Sequence, residues 1–167
     1  MDYAKVSSLG ITATGTITRP ANTNTYTTND VIGTAVAATS IMTFSFAPLH
    51  AGAHFIIMDA SLRIDLAAIP ASMTTFNLHL YSSSPVGIAD EDAFNLVAAD
   101  RDSYLGKITF DTPDDLGDTL HSRKENVNLK RKLADGSDTI YGVLQTVGAL
   151  VGASGTVFTC KLHGVQA

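Results

Sequence analysis

Residues 55–66, FIIMDASLRIDL, decide the fold class. From residue 56 onward every second position is apolar, and from residue 59 the positions between them are Asp59, Ser61, Arg63 and Asp65. The apolar positions are Ile56, Met58, Ala60, Leu62, Ile64 and Leu66. A period of two over this length indicates a β-strand with one face in a core and one in water. Because the stretch exceeds the usual strand length, we expect it to cross a whole sheet.

Shorter segments with the same alternation follow along the chain. They are residues 40–46, 75–81, 104–110, 125–133, 140–147 and 157–165, and the last two are predicted to form a hairpin. In residues 75–81 the pattern places Asn77, His79 and Tyr81 outward. Asp90 is predicted to cap one short helix over residues 90–97. Together these features predict an all-β protein, an antiparallel jelly-roll-like β-sandwich of about eight strands with one short helix and an N-terminal arm.

The first twenty residues differ from the rest of the chain. In LGITATGTIT, residues 9–18, the apolar residues Leu9, Ile11 and Ile17 are separated by threonines and glycines, so the alternation is thin. This segment is either an edge strand or an arm that lies on a neighbouring subunit. We therefore expect an arm and connector over residues 1–23 and a sandwich domain over residues 24–167. If the first segment is an arm, deletion of residues 2–20 leaves the sandwich folded.

Composition excludes several classes of function. The formal net charge of −5 gives no electrostatic reason to expect nucleic acid as a partner. The charged fraction of 16% is low, which suggests that neighbouring subunits cover part of the surface. Residues 139–160 are poor in charge, but their glycines and threonines favour a strand, a turn and a second strand over a membrane helix. The single cysteine, Cys160, is predicted to be a small core residue.

No arrangement of polar residues predicts catalysis or a cofactor. The histidines His50, His54, His79, His121 and His163 lack the His-x-His and glutamate pattern of a cupin-type metal site. The acidic residues 111–118 resemble a solvated turn more than a calcium loop. We find no Gly-x-Ser-x-Gly, Walker-type or dinucleotide-binding motif, so we expect no enzyme activity, no metal and no cofactor.

A short basic stretch stands out in this acidic chain. It contains Arg123 and Lys124, followed by Lys130, Arg131 and Lys132. Such a stretch either docks on an acidic protein surface or is a solvated strand edge, because lysines on an exposed edge prevent edge-to-edge pairing.

One segment resembles a known family. Residues 26–34, YTTNDVIGT, are similar to the Y-T-x-x-D-V-I-G opening of the capsid decoration, or cement, proteins of tailed bacteriophages. Further matches follow in the same order, and the resemblance covers residues 24–165. The matching segments are residues 56–66, FNLHLY at 76–81, DEDAF at 90–94, YLGKITF at 104–110, IYGVL at 140–144 and the closing strand.

The resemblance implies a structural virion protein. Such a protein would be made in the cytoplasm of the host bacterium, bind the capsid surface as a homotrimer and clamp adjacent subunits of the major capsid protein. We expect capsid or inter-subunit contacts from two groups of residues. These are Leu9, Ile11, Ile17 and Arg19 near the start, and Arg123, Lys124, Lys130 and Arg131 in the basic stretch. The alternatives are a glycan-binding sandwich of a phage head or tail fibre, and a hydrolase on a β-sandwich.

Overall fold

The computed structural model describes residues 10–47 and 49–167, so Leu9 lies outside the described residues. The described chain is an antiparallel β-sandwich. Its strands are β1 (Gly10–Thr18), β2 (Thr25–Tyr26), β3 (Val31–Ile32), β4 (Met42–Ser45), β5 (His54–Ile64), β6 (Phe76–Tyr81), β7 (Tyr104–Phe110), β8 (Asp114–Asp115), β9 (Leu120–Lys124), β10 (Leu129–Lys132), β11 (Thr139–Thr146), β12 (Leu150–Val151) and β13 (Val157–Gln166).

Two sheets enclose the core. The first sheet has the strand order β1-β13-β5-β9-β8, and β10 also pairs with β5. The second sheet has the order β3-β11-β6-β7, and β4 also pairs with β11. Phenylalanines from both sheets, among them Phe44, Phe55, Phe76, Phe110 and Phe158, are almost fully buried between them. The predicted antiparallel sandwich is therefore confirmed.

The long strand β5 crosses the first sheet as predicted, but its alternation changes phase. Residues 60, 62 and 64 point into the core, whereas Met58 is 42% exposed and Phe55 and Ile57 are buried instead. The reason is a β-bulge: His163 of β13 pairs with Asp59, and the next residue, Gly164, pairs with Ile57. An extra residue in one strand reverses the faces beyond it. The prediction that Ile56 and Met58 face the core was therefore wrong.

Residues 10–18 form the edge strand β1 of the same sandwich. They pair with β13 over nine positions, from Gly10 opposite Val165 to Thr18 opposite Val157. Ile11 and Ile17 are each 4% exposed and belong to the core of their own chain. Gly15 lies so close to Phe44 that a Cβ atom there would be 2.8 Å from the ring. Of the two alternatives for this segment, the structure contains the edge strand, so Ile11 and Ile17 are not available as surface contacts.

The short helix predicted over residues 90–97 is not present. Residues 29–31 and 92–94 are instead linked by backbone hydrogen bonds, from Val31 N to Asp92 O and from Phe94 N to Asn29 O. The Asp90 carboxylate accepts hydrogen bonds from residues distant in sequence and does not cap a following turn. The next helical element along the chain is a short 3₁₀ turn, Ala98–Asp100, and another, Ala37–Thr39, precedes β4.

The predicted hairpin near the C-terminal end is also wrong. Strand β11 belongs to the second sheet and β13 to the first, so the glycine-rich connection crosses from one sheet to the other. On the way it forms β12, which pairs with β2. In the described part of the chain no helix is long and apolar enough to span a membrane. Cys160 is fully buried on β13, where burial raises the pKa of its thiol, in agreement with the prediction of a core residue.

The outward face of β6 is covered, which sequence alternation did not predict. His79 is 5% exposed because the Phe94 ring stacks on it at a centroid distance of 3.7 Å. The imidazole lies 3.0 Å from Gln145 Oε1 and 3.1 Å from the Tyr104 hydroxyl. Since Gln145 Oε1 can only accept, His79 Nε2 carries a proton. Burial lowers the pKa of His79 and so favours the neutral imidazole, in which Nδ1 accepts from the Tyr104 hydroxyl.

We expect this burial to make the protein less stable in acid. Burial lowers the pKa of His79 below its ordinary value of 6.5, and the positive charge of Lys107 also lowers it. Above pH 6.5 the residue is neutral in both states and contributes no pH dependence. Below pH 6.5 the unfolded chain takes up a proton that the folded chain does not, so the free energy of unfolding falls. Urea unfolding at several pH values should show a steeper loss in the parent than in His79→Gln, and equal slopes would contradict the prediction.

Candidate functional site

Arg19, expected at a subunit contact, is instead the centre of a buried hydrogen-bond network. Its Nε donates to the Tyr26 hydroxyl at 2.9 Å, and its NH1 donates to the carbonyl of Ala153 at 3.0 Å. Its NH2 lies 3.7 Å from Asp90 Oδ2, and both side chains are almost completely buried. The guanidinium also lies over the Tyr26 ring. Arg19 therefore ties the end of β1 to two distant loops and is not a contact residue.

The motif that carries the family resemblance has a structural role in this chain. The Tyr26 hydroxyl donates to Asp90 Oδ1 at 2.6 Å, and the Gly33 amide donates to the same oxygen at 2.9 Å. Thr27 donates to the Asp30 carboxylate through both its amide and its hydroxyl. A Cβ atom at Gly33 would lie only 2.5 Å from the Ser40 hydroxyl oxygen, so only glycine fits there. The motif thus fixes the crossing from β1 in the first sheet to β3 in the second.

The basic stretch lies at an open edge of the sandwich. Strand β7 is an edge strand of the second sheet. In the first sheet, β9 and β10 pair with β5, and they lie at the same edge of the sandwich as β7. Between β7 and β9 is a groove of about 260 Å³, whose lining includes Lys107, Lys124, Val127 and the acidic Glu125. We call the cations of this region the basic edge and define it as Lys107, Lys124, Lys130, Arg131 and Lys132.

The cations of the basic edge differ in how firmly they are held. Arg131 Nε donates to the carbonyl of Leu105 at 2.6 Å, so this side chain bridges the two sheets. Lys124 lies 3.5 Å from an oxygen of Asp111, and both side chains are exposed. Lys132 donates to Asp135 at 2.7 Å, which lowers the pKa of that carboxyl below its ordinary value.

Two lysines of the basic edge have no such partner. Lys107 and Lys130 are exposed and form no ion pair with a described residue. Lys130 was expected from the sequence, whereas Lys107 was missed because it comes from β7, a strand of the other sheet. A lysine on an outward position of an edge strand was the only sequence signal for it. These two side chains are free to bind a negatively charged partner.

The predicted strand over residues 125–133 is shorter than expected. Only Leu129–Lys132 is a strand, because Asn126 and Asn128 have positive φ angles of 55° and 49°. Asparagine adopts this left-handed conformation more readily than most residues. The loop separates β9 from β10 along β5, so Arg123 and Lys130 occupy different parts of the same sheet.

Arg123 belongs to a second polar region, on the side of the first sheet that faces away from the core. A depression of about 440 Å³ is lined there by Asp59, Ser61, His121, Arg123, Lys161 and His163. Arg123 lies 3.5 Å from Asp59 Oδ2 and 3.7 Å from Glu125. We call this region the outer depression.

At the outer depression, His163 lies between the hydroxyl of the neighbouring Thr12 and the carboxylate of Asp59. Thr12 Oγ1 is 3.0 Å from His163 Nδ1, and His163 Nε2 is 4.0 Å from Asp59 Oδ1. A separation of 4.0 Å exceeds hydrogen-bond distance, so the three groups do not form a hydrogen-bonded catalytic relay. Within residues 10–47 and 49–167 no group of three or more histidine, cysteine or acidic side chains is placed to hold a metal ion.

A scan against protein-family models gives no match, and a search of curated proteins gives none either. Among solved structures, the chain is similar to the capsid of Ralstonia phage GP4, with 16% identity, a TM-score of 0.44, and coverage of 100% of this chain and 91% of that chain. The Cyanophage Pam1 capsid asymmetric unit matches with 11% identity, a TM-score of 0.42 and the same coverage. The CBM22-1–GH10 modules of Clostridium thermocellum xylanase 10B match with 10% identity and a TM-score of 0.34, over 92% of this chain and 26% of that chain. TM-scores this low carry no conclusion about function.

Proposed function

We propose that the protein is a structural virion component, a decoration protein that binds the outside of a phage head as a homotrimer and stabilises contacts between major capsid subunits. The family resemblance over residues 24–165 supports this proposal, and so do the structural roles of the residues in its opening motif. The basic edge would carry the contact: Lys107 and Lys124 line the groove between β7 and β9, and Lys130, Arg131 and Lys132 follow on β10, on a chain with a formal net charge of −5. Its partner on the capsid would be an acidic protein surface.

The physical properties of the basic edge suit a clamp. Lys107 and Lys130 are exposed, so they can approach carboxylates without a large desolvation cost. Each such contact is weak alone, but a trimer engages several capsid subunits together and gains affinity through multivalency. Binding through exposed charges of this kind should weaken as salt concentration rises. Of the expected contact residues, Lys124 and Lys130 remain in this proposal, and Arg131 has a structural role in it.

The oligomeric state is the first test of the proposal. Light scattering on a sizing column should give three times the 17.6 kDa mass of the chain. A stable trimer would present three copies of the basic edge to the capsid. A monomer at all concentrations would contradict the homotrimer in solution.

Charge reversal tests the contact. The double variant Lys107→Glu, Lys130→Glu should bind undecorated heads about tenfold or more weakly, because like charges then face each other across the interface. The measurement is co-sedimentation with heads at several salt concentrations. The matched control is Arg63→Glu, Lys161→Glu, which changes the net charge equally at the outer depression. If both variants bind heads as the parent does, but the first aggregates, the lysines only protect the strand edge.

A further inference from the structure

The outer depression exists because a small residue lies among large ones. Ser61 is flanked along β5 by Asp59 and Arg63, and the register places Lys161 of β13 and Arg123 of β9 directly beside it. Cross-strand neighbours on one face have Cβ atoms about 5 Å apart. Four long or charged side chains therefore surround one hydroxymethyl group. The result is a hollow in a sheet surface that would otherwise be flat.

One end of the hollow offers two cations, two hydroxyl groups and an imidazole to a ligand. A smaller site of about 80 Å³ adjoins the depression and is lined by Ser61, Arg63, His121, Thr159 and Lys161. No carboxylate lines it. Lys161 is exposed and forms no ion pair with a described residue, and Arg63 is bound only by the exposed Asp65. Such a set of groups favours a single carboxylate or sulfate group.

The other end of the hollow offers an acceptor. Asp59 Oδ1 is shielded from solvent and lies 4.0 Å from His163 Nε2, so a ligand does not reach it. The Asp59 side chain as a whole is 22% exposed, and its other oxygen, Oδ2, lies 3.5 Å from Arg123. A ligand hydroxyl can donate a hydrogen bond to Oδ2. The carboxylate of an acidic protein side chain cannot supply such a donor.

We propose that the outer depression binds an acidic glycan, with the carboxylate or sulfate group at Lys161 and Arg63 and a sugar hydroxyl at Asp59. The volume of the hollow is in the range of ligand-binding pockets. Its lining holds no aromatic side chain except the two histidines, so recognition uses charges and hydrogen bonds and not stacking on a tryptophan or tyrosine. A single site of this kind binds weakly, and repeated sites on a larger assembly would strengthen it. This activity is separate from the proposed capsid contact and uses a different surface.

Titration with polygalacturonate oligomers, followed by calorimetry, tests the proposal. These oligomers carry both carboxylates and hydroxyls; dextran has only hydroxyls, and poly-glutamate has only carboxylates. We expect polygalacturonate to bind more tightly than either control polymer. Ser61→Ile fills the hollow without changing any charge and should weaken binding about tenfold or more, as should Lys161→Glu. Lys107→Glu at the basic edge makes the same change in charge as Lys161→Glu and should leave binding unchanged.

Three results would overturn the proposal. They are the absence of polygalacturonate binding by the parent protein, equal binding of polygalacturonate and poly-glutamate, and full retention of binding in Ser61→Ile. Circular dichroism of each variant shows that the sandwich is intact, and Lys161→Glu gives a second readout at an exposed position. Head binding by the same variants is measured independently. A negative result for glycan binding would therefore leave the capsid proposal unaffected, and a negative result for head binding would leave the glycan proposal unaffected.

Discussion

Replacement of Arg19 by methionine is expected to lower the free energy of unfolding by about 3–5 kcal/mol, because it leaves a buried carboxylate without its cation. The Asp90 side chain is only 3% exposed, and its Oδ2 accepts no hydrogen bond from a described residue. The substitution also removes the donors to the Ala153 carbonyl and the Tyr26 hydroxyl. The measurement is urea unfolding followed by circular dichroism.

The exposed pair of Arg63 and Asp65 gives a matched control. Its side chains are 49% and 47% exposed at a distance of 3.2 Å, so Arg63→Met should cost at most about 1 kcal/mol. A double-mutant cycle compares the parent protein with Arg19→Met, with Asp90→Asn and with the variant that carries both substitutions. If Arg19 acts through the carboxylate, the double variant loses less stability than the sum of the two single variants. A loss for Arg19→Met as small as that for Arg63→Met would show that the network contributes little.

Deletion of residues 2–20 is expected to prevent formation of a stable sandwich. It removes the β1 ladder on β13, the buried side chains of Ile11 and Ile17, and Arg19. Burial of each isoleucine contributes about 1.5–3 kcal/mol, and the whole stability of a domain is typically about 5–15 kcal/mol. This result is the opposite of what an arm on a neighbouring subunit would give. Circular dichroism and the cooperativity of thermal unfolding provide the measurement.

A shorter truncation separates the strand from the residues before it. Deletion of residues 2–9 keeps β1 whole, so any difference between the two truncations belongs to residues 10–20. A synthetic peptide of residues 10–20, added to the longer truncation, should restore part of the structure by taking the vacant place beside β13. A cooperative transition in the longer truncation without the peptide would mean that β1 is dispensable.

Local alternation in the sequence was enough to predict the fold class, but it did not predict what covers each strand. In β5 the period of two holds from Ala60 to Ile64 because those residues pair regularly with β13. The alternation fails at Met58, because the bulge there arises from the pairing with β13 and not from the local sequence. In β6 the period places His79 outward correctly with respect to its sheet, yet the side chain is buried because Phe94 lies over it. A covering segment far along the chain leaves no trace in the pattern of the strand beneath.

The surroundings of the charged residues were even harder to predict from the sequence. Arg19 lies beside Pro20 in a polar stretch, and nothing in its neighbourhood distinguishes it from an exposed arginine. Its partners Asp90 and Ala153 are brought to it only by the complete fold. The basic stretch was visible because its members are close in sequence. Lys107 joins it across the gap between two sheets, and Ser61 becomes the floor of a hollow only through its neighbours on β9 and β13.

The pairing of β1 with β13 has a consequence for biosynthesis. Gly10 pairs with Val165, and β13 lies between β1 and β5, so β1 has no partner in the first sheet until residues 157–166 have been made. Domains with such distant pairings fold slowly, and chains on the ribosome usually fold from their N-terminal end. Here the early segments must wait, with the edges of β1 and β5 unpaired, until residues 157–166 have been translated. We therefore expect nascent chains stalled before residue 157 to be sensitive to protease and to recruit chaperones, and chains extended past residue 166 to be resistant.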